Sequence, residues 1–229
     1  MKLLALDTSS IACTVALQLG NNIFARHEEQ PREHTKLLMP MIRSVLEESG
    51  VELNDLEAIV LGNGPGSFIG MRIATSVAQG LAFASGLRIV PVSSMAAVAA
   101  EVFANHDAAV AVVTQDAHMH EVYLGIYERG PENLPEPVCP ERLHGVEPIA
   151  ELDSAASPVA AGFGWQRYPD LLANNRDRLN GVVEVLYPRA RYLLALGTAR
   201  YRNAMALEPQ DVVPAYLRQK VAEKPVASP

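Results

Sequence analysis

The hydrophobic pattern of the first fifty residues predicts three strands followed by one helix. Residues 2–6, 14–19 and 23–28 are short apolar or alternating runs typical of strands, and Gly20-Asn21-Asn22 favours a hairpin turn between the last two. From His34 to Ser49 the apolar residues recur at helical spacing. The apolar face of this predicted helix consists of Leu38, Met41, Ile42, Val45 and Leu46.

The following residues alternate strands with helices. Apolar runs at 58–61 and 88–92 predict strands, whereas 67–85 and 94–104 predict helices, the first of them ended by Gly86. Strands that alternate with helices after an opening meander indicate a mixed sheet covered by helices. This part of the chain therefore predicts an α/β lobe.

The pattern restarts near residue 107. An apolar run at 109–115 ends at Asp116 and a second strand is predicted at 121–127, which copies the opening run, Asp7 and the strand after it. We interpret this as a duplicated strand-turn-strand, although a chance alignment of two apolar strands stays open. The predicted lobes are residues 1–106 and 107–229. Further along the chain we predict an irregular connection at 130–148. Two helices are predicted after it, at 165–173 and at 189–206.

Composition favours a globular protein with little direct contact to nucleic acid. The chain has 229 residues, 49% of them apolar, which is enough for a substantial core. Its 19 Lys and Arg against 26 Asp and Glu give a net charge of −7. Because no broad basic stripe can neutralise a phosphate backbone, we expect any RNA to be bound mainly by other proteins.

A location in the cytoplasm without membrane contact is expected. Asp7 interrupts the first apolar run before a signal sequence could form, and the longest uncharged stretch is Ile73 to Leu87. As a helix this stretch reaches about 22 Å, short of the roughly 30 Å of a bilayer core. Cys13 and Cys139 are expected to be free thiols.

The glycine-rich segment Gly62 to Arg72, GNGPGSFIGMR, is placed where α/β proteins often bind phosphate. It lacks the lysine of a Walker loop, the third glycine of a dinucleotide fingerprint and the G-x-S-x-G elbow of a serine hydrolase. Ser67 is instead a good N-cap for the helix that follows. The segment therefore predicts a helix start rather than a nucleotide loop.

One flank of that helix is almost free of side chains, because small residues recur every four positions. They are Gly66, Gly70, Ala74, Ala78 and Ala82. Beside them runs a row of larger apolar residues, Ile69, Ile73, Val77 and Leu81. The small flank either packs tightly on its own sheet or meets a helix of another chain, and the sequence leaves both interpretations open.

Candidate metal and phosphate ligands are few. The six histidines never occur as H-x-x-x-H, the spacing that places two ligands on one helix face. Asp7 with Thr8, Ser9 and Ser10 could hold magnesium or a phosphate, or the carboxylate could cap its own turn. We predict no metal site and no catalytic residue, and a vestigial nucleotide or phosphate site at residues 7–10 stays open beside the capping interpretation.

Four segments give the chain a family resemblance: LLALDTSSIACTVAL, PREHTKLLMPMIRSVL, LGNGPGSFIGMRIATSVAQGLA and DAHMHEVYLGIY. The sequence resembles the bacterial TsaB (YeaZ) family over essentially its whole length, with GFGWQRYPDL and PAYLR as further matches. The resemblance implies a two-lobed actin-like ATPase (ASKHA) fold with a ribonuclease-H-like core in each lobe.

The resemblance also implies a role in making threonylcarbamoyladenosine at position 37 of tRNAs that read codons beginning with A. In that pathway a TsaB protein is a non-catalytic partner of its paralogue TsaD, which works with the ATPase TsaE, and TsaC supplies the threonylcarbamoyl-adenylate. TsaD holds its metal through an H-x-x-x-H motif, and the corresponding stretch here, residues 93–98, has no histidine. ATP is used by the complex, and nucleotide binding by this chain stays open.

By the same resemblance, the two helices at residues 35–49 and 67–85 pack against TsaD, or against a second copy when TsaD is absent. The predicted interface residues are Thr35, Leu38, Met41, Ile42, Val45, Gly66, Ser67, Phe68, Gly70, Met71, Ile73 and Ala74. Two alternatives are a peptidase, since relatives were once labelled glycoproteases, and a small-molecule kinase of the same fold. Against the peptidase, the sequence shows no nucleophile with a base beside it. Against the kinase, the second lobe has no loop suited to binding phosphate.

Overall fold

A computed structural model describes residues 1–218 of the chain. The first half of the chain contributes five strands: β1 (Lys2–Asp7), β2 (Ala12–Leu19), β3 (Asn22–Glu29), β4 (Ala58–Gly62) and β5 (Arg88–Val92). They form one mixed sheet in the order β3-β2-β1-β4-β5, in which β1 pairs antiparallel with β2 and parallel with β4. Alternate β1 side chains are buried on opposite faces, as expected of a central strand.

The second sheet is built from the later strands: β6 (Val110–Asp116), β7 (Val122–Arg129), β8 (Pro135–Pro137), β9 (Arg142–His144), β10 (Val159–Ala161) and β11 (Gly181–Val182). Its order is β11-β10-β6-β7-β8, and β9 also pairs with β7. As in the first sheet, an antiparallel pair follows a strand that ends in an aspartate. This repeat supports the duplication inferred from the sequence.

Within residues 1–218, six α-helices cover the two sheets: α1 (His34–Ser49), α2 (Phe68–Ser85), α3 (Ser94–Asn105), α4 (Gly164–Arg167), α5 (Pro169–Asn175) and α6 (Ala190–Arg202). The apolar faces of α1 and α2 pack on the outer side of the first sheet. Helices α4 and α5 cover the outer side of the second sheet. Between the sheets lie α3 and α6, whose buried side chains form one continuous core with both. The predicted two-lobed α/β architecture is confirmed.

Several predicted elements differ from those observed. The helix predicted at 165–173 is two helices, because Pro169 cannot donate a backbone hydrogen bond and holds Tyr168 away from helical geometry. The helix predicted at 189–206 ends at Arg202, and Ala204 beyond it has a left-handed φ of 56°. The connection 130–148 is not wholly irregular, since β8 and β9 extend the sheet from β7.

The boundary between residues 106 and 107 stays a prediction, and the two halves are closely joined. Helix α6 comes from the second half of the chain but packs on the first sheet, where Gly197 lies against Val60. The backbone amide of Ala190 donates to Thr14 Oγ1 at 2.9 Å. The lobes therefore share the core between the two sheets, in addition to the outer core of each lobe.

Two smaller observations complete the fold. No helix within residues 1–218 is both long and apolar enough to cross a bilayer. Cys13 and Cys139 are free thiols, as predicted, and burial raises the pKa of Cys13 to about 12.

Candidate functional site

The glycine-rich segment leads into α2 and holds the loop between β1 and β2. Ser67 is the N-cap predicted from the sequence, and its hydroxyl accepts a hydrogen bond from Gly70 N at 3.2 Å. Any Cβ at Gly66 would overlap the carbonyl oxygen of Ser9, and one at Gly70 would overlap that of Thr8. The first two small residues of the flank therefore make room for the chain's own β1–β2 loop.

Two hydrogen bonds fasten the same contact. Ser67 N donates to Ser9 O at 2.6 Å, and Thr8 Oγ1 donates to Gly70 O at 2.7 Å. Farther along α2 the flank continues with Ala74, which is fully buried against the first sheet. Of the two interpretations left open by the sequence, the structure supports packing of this flank on its own lobe.

Asp7, at the end of β1, is completely buried. Its carboxylate accepts hydrogen bonds from Ser9 N at 2.6 Å and from Ser94 Oγ at 2.5 Å, and the lack of a side chain at Gly62 leaves room for it. Burial raises the pKa of Asp7 above its ordinary value, against the lowering effect of those hydrogen bonds. The carboxylate caps its own turn, which was the alternative interpretation from the sequence.

The vestigial nucleotide or phosphate site at residues 7–10 stays a prediction, and most of its polar atoms have partners within the chain. Asp7 and Thr8 are fully buried and Ser9 is 4% exposed, so their polar atoms serve the fold. Ser10 is partly exposed, but its hydroxyl accepts a hydrogen bond from Ala12 N at 3.1 Å. In this structure the loop is therefore held together by its own hydrogen bonds.

The predicted interface residues fall into two groups. Buried within the chain's own lobe are Leu38, Met41, Ile42, Val45, Gly66, Gly70, Met71 and Ala74. Thr35, Ser67 and Phe68 are exposed and Ile73 is half-buried. The eight buried residues cannot form a contact surface in this structure, because they already pack against the first sheet, the β1–β2 loop or, for Met71, the glycine-rich segment.

The outer face of α2 instead presents a different row of residues, at spacings of three and four. This α2 ridge consists of Ile69, Ile73, Ser76, Gly80 and Phe83, of which Ile69 is 70% exposed and Phe83 is 82% exposed. Ile69 and Phe83 are absent from the predicted interface. The helical spacing of Ile69 and Ile73 is visible in the sequence. The predicted interface instead relies on the small flank, which lies on another side of the helix.

A cavity of about 530 Å³ lies between the two lobes. Its first-lobe wall includes the β1–β2 loop and the starts of α1 and α2, and its second-lobe wall includes Asp116, His118, Phe163 and Tyr187. Asp116 Oδ1 accepts hydrogen bonds from His118 N and from Tyr168 OH, both at 2.8 Å. Asp116 thus caps its turn as Asp7 does.

The turn after Asp116 has a strained backbone that the end of the described chain holds in place. His118, Met119 and His120 have φ values of 61°, 56° and 59°, a backbone conformation that is unfavourable for residues other than glycine. Arg218 donates to the carbonyl oxygen of Ala117 at 3.0 Å and pairs with Glu121. No pattern in the sequence predicts this contact.

The segment before Arg218 runs along the first lobe. Leu207 pairs with Ile89, and Ala215 N donates to the carbonyl oxygen of Asn63 in the glycine-rich segment. The Tyr216 ring then packs against Phe68 in a tilted arrangement, with ring centroids 5.4 Å apart. The segment therefore joins α2 to the Asp116 turn of the other lobe.

Potential metal ligands are scattered over the described part of the chain. Within residues 1–218, no three His, Cys, Asp or Glu side chains come together as potential metal ligands. The side chain of His118 is 82% exposed and lies 3.3 Å from the Asp116 carboxylate.

Comparison with known proteins identifies the family. A family model described as "TsaD: tRNA N6-adenosine threonylcarbamoyltransferase" matches residues 22–226. Two relatives, from Escherichia coli (strain K12) and Haemophilus influenzae, carry the name "tRNA threonylcarbamoyladenosine biosynthesis protein TsaB" and are each 35% identical to the chain. Each alignment covers 98% of this chain, and it covers 97% and 96% of the two relatives, respectively. The chain belongs to the TsaB family.

Solved structures agree with this TsaB-family assignment. "YeaZ from Pseudomonas aeruginosa" has a TM-score of 0.85 at 34% identity, covering 94% of this chain and 99% of that one. A second structure, titled as an uncharacterised protein with similarity to peptidase YEAZ from Pseudomonas aeruginosa, has a TM-score of 0.88 at 36% identity and covers 95% of this chain and 99% of its own. The two-lobed ASKHA-like fold implied by the resemblance is thereby confirmed.

Proposed function

We propose that this chain acts in tRNA threonylcarbamoyladenosine biosynthesis as a non-catalytic subunit that binds TsaD. The names of its full-length relatives support the pathway. The single observation that carries the partner role is the exposed α2 ridge. Ile69 and Phe83 are large apolar side chains left in solvent, although burying one such side chain contributes about 1.5–3 kcal/mol.

The centre of the ridge suits close packing of a second helix. Ser76 and Gly80 lie between Ile73 and Phe83, and nothing within 4 Å surrounds the Cβ position of Gly80. An opposing helix can approach its backbone there while its side chains contact the apolar residues at either end. The exposed α1 residue Thr35 adds to this surface, whereas the small flank at Gly70 does not.

We propose the same face for self-association when TsaD is absent, most simply as a twofold dimer. A twofold interface uses one patch on both copies, and an apolar helix ridge meets that requirement. TsaE and tRNA then join through the larger complex, in agreement with the chain's net charge of −7. ATP is consumed by the complex, and we assign no nucleotide to the Asp7 loop, whose polar groups are engaged. The setting proposed for this assembly is the cytoplasm.

The non-catalytic role rests on the state of the candidate nucleophiles and phosphate ligands. Ser67 Oγ caps α2, and no histidine hydrogen-bonds to it within residues 1–218. This geometry disfavours the peptidase alternative, which needs a base beside its nucleophile. The kinase alternative is disfavoured because Asp7 and Asp116 each cap their own turn.

Reconstitution tests the proposal. The chain is mixed with TsaD, TsaE, TsaC, threonine, bicarbonate, ATP and tRNA, and each component is omitted in turn. Modification should require the chain, and the Ser67→Ala and Asp116→Asn variants should keep the rate within about tenfold. A loss of more than about a hundredfold in a variant with an unchanged melting temperature would indicate direct catalysis, since that is the low end of what one catalytic group supplies.

A further inference from the structure

A groove on α2 carries one charged residue that the apolar partner face does not account for. The groove has a volume of about 380 Å³ and lies beside the α2 ridge, lined by Phe68, Ile69, Arg72, Ile73, Ser76 and Val77. Arg72 is the only charged residue in the 18 residues of α2, and its side chain is exposed. It belongs neither to the ridge nor to the predicted interface.

Two aromatic side chains hold Arg72 in place. Its guanidinium carbon lies 3.8 Å from the centroid of the Phe68 ring, within the range of a cation–π contact. Its Nε donates a hydrogen bond to the Tyr216 hydroxyl at 3.1 Å. Because the side chain is already ordered, a partner that contacts it loses less conformational entropy on binding.

The other hydrogen-bond donors of Arg72 are free. Most N–H groups of a guanidinium are on its two Nη atoms. Within residues 1–218 these Nη atoms form no hydrogen bond, and the guanidinium forms no ion pair. Parallel N–H groups of this kind match the two oxygens of a carboxylate. The chemistry of Arg72 therefore fits an Asp or Glu side chain of another molecule.

The α2 helix of a second copy does not supply that carboxylate. Since α2 contains no Asp or Glu, a twofold contact between two ridges brings only uncharged residues and a second Arg72 from this helix. Specificity is a difference between two affinities, and a charge that one partner neutralises and another does not creates such a difference. Arg72 therefore favours a different chain over a second copy.

We propose that Arg72 determines the specificity of the α2 ridge for TsaD by pairing with an acidic side chain of TsaD. This inference rests on the proposed partner role and adds the chemistry of the partner surface, which is an Asp or Glu against the Nη atoms and an apolar side chain in the groove. Arginine and aromatic residues are the types that most often dominate protein–protein binding. Phe68 and Tyr216 are positioning residues, since they act through Arg72.

Calorimetry of the full-length chain with TsaD tests this pairing at about 0.1 M and about 1 M salt, where the Debye length is about 10 Å and about 3 Å. Arg72→Gln should bind TsaD at least fivefold more weakly than wild type at the lower salt concentration. Its affinity should also change less between the two salt concentrations, because the charge pair that salt weakens is absent. The matched control is Arg176→Gln, which removes an exposed arginine of the second lobe and changes the net charge equally. This control should bind as wild type does.

Two further measurements separate the charge from its geometry and TsaD from a second copy. Arg72→Lys should keep the wild-type response to salt but bind TsaD more weakly than wild type, because an ammonium group cannot form two parallel hydrogen bonds to a carboxylate. In light scattering, the isolated Arg72→Gln chain should keep the mass of wild type.

The proposal would be overturned if Arg72→Gln and Arg176→Gln bound TsaD equally, or if Arg72→Gln kept the wild-type response to salt. Loss of self-association in Arg72→Gln would also overturn it, because Arg72 would then serve the contact between copies. Failure of the partner role itself looks different, since wild type would not bind TsaD at all. Weak binding of Ile69→Asp together with wild-type affinity of Arg72→Gln would refute the pairing and leave the partner role intact.

Discussion

Two glycines on the same helix should respond in opposite ways to the same substitution. Gly70 and Gly80 both lie in α2, so replacing either by alanine removes the helix penalty of glycine, about 1 kcal/mol. At Gly80 nothing within 4 Å obstructs the new methyl group. Gly80→Ala should therefore raise the free energy of unfolding by about 1 kcal/mol.

At Gly70 the methyl group would overlap the carbonyl oxygen of Thr8. This oxygen belongs to backbone and cannot rotate away, so we expect an overpacking cost near the upper end of about 1–3 kcal/mol. The hydrogen bond from Thr8 Oγ1 to Gly70 O would also be disturbed, at about 1 kcal/mol. Set against the gain in helix propensity, the net loss for Gly70→Ala should be about 2–3 kcal/mol.

Urea unfolding followed by circular dichroism measures both changes. In thermal unfolding, 1 kcal/mol corresponds to about 2–4 °C in melting temperature for a chain of this length. By either method, the stabilities of the two variants should lie on opposite sides of that of wild type. If Gly70→Ala proved as stable as Gly80→Ala, the small flank would not face the chain's own loop, and our assignment of the outer face of α2 would fail.

Three further predictions follow from the same contacts. Burial raises the pKa of Asp7 from its ordinary 3.8, so ionisation of its carboxyl costs the folded state more than the unfolded state. The free energy of unfolding of wild type should therefore fall relative to that of Asp7→Asn as the pH rises above about 4, and a constant difference in urea titrations would contradict this. Arg218→Ala should lower the free energy of unfolding by about 1–2 kcal/mol, whereas an unchanged urea midpoint would mean that the tie to Glu121 contributes nothing. Light scattering of the isolated chain should give about twice the chain mass, and Ile69→Asp should give the monomer mass.

The sequence predicted most of the first lobe because its elements have clear periodicity. Helix α1 and strand β5 have the predicted bounds, and α2 begins at the N-cap expected from Ser67. By contrast, β10 and β11 have three and two residues, too few for a periodic signal. Their pairing with β6 and with each other depends on partners distant in sequence.

The site was predictable only in part, because a small-residue flank has two physical uses. It admits either a partner helix or the chain's own backbone, and the β1–β2 loop that decides the matter meets Gly70 across 62 positions of sequence. The return of Arg218 to the Asp116 turn was invisible for the same reason. The duplicated aspartates were detectable, since each one ends an apolar strand.

The affinity of the chain for TsaD tests the central claim most directly. Ile69→Asp places a charge on the exposed α2 ridge, and Ile23→Asp places the same charge on an exposed isoleucine of the edge strand β3. By calorimetry, wild type and Ile23→Asp should bind TsaD alike, whereas Ile69→Asp should bind at least tenfold more weakly with an unchanged melting temperature. Wild-type affinity of Ile69→Asp for TsaD would contradict the account.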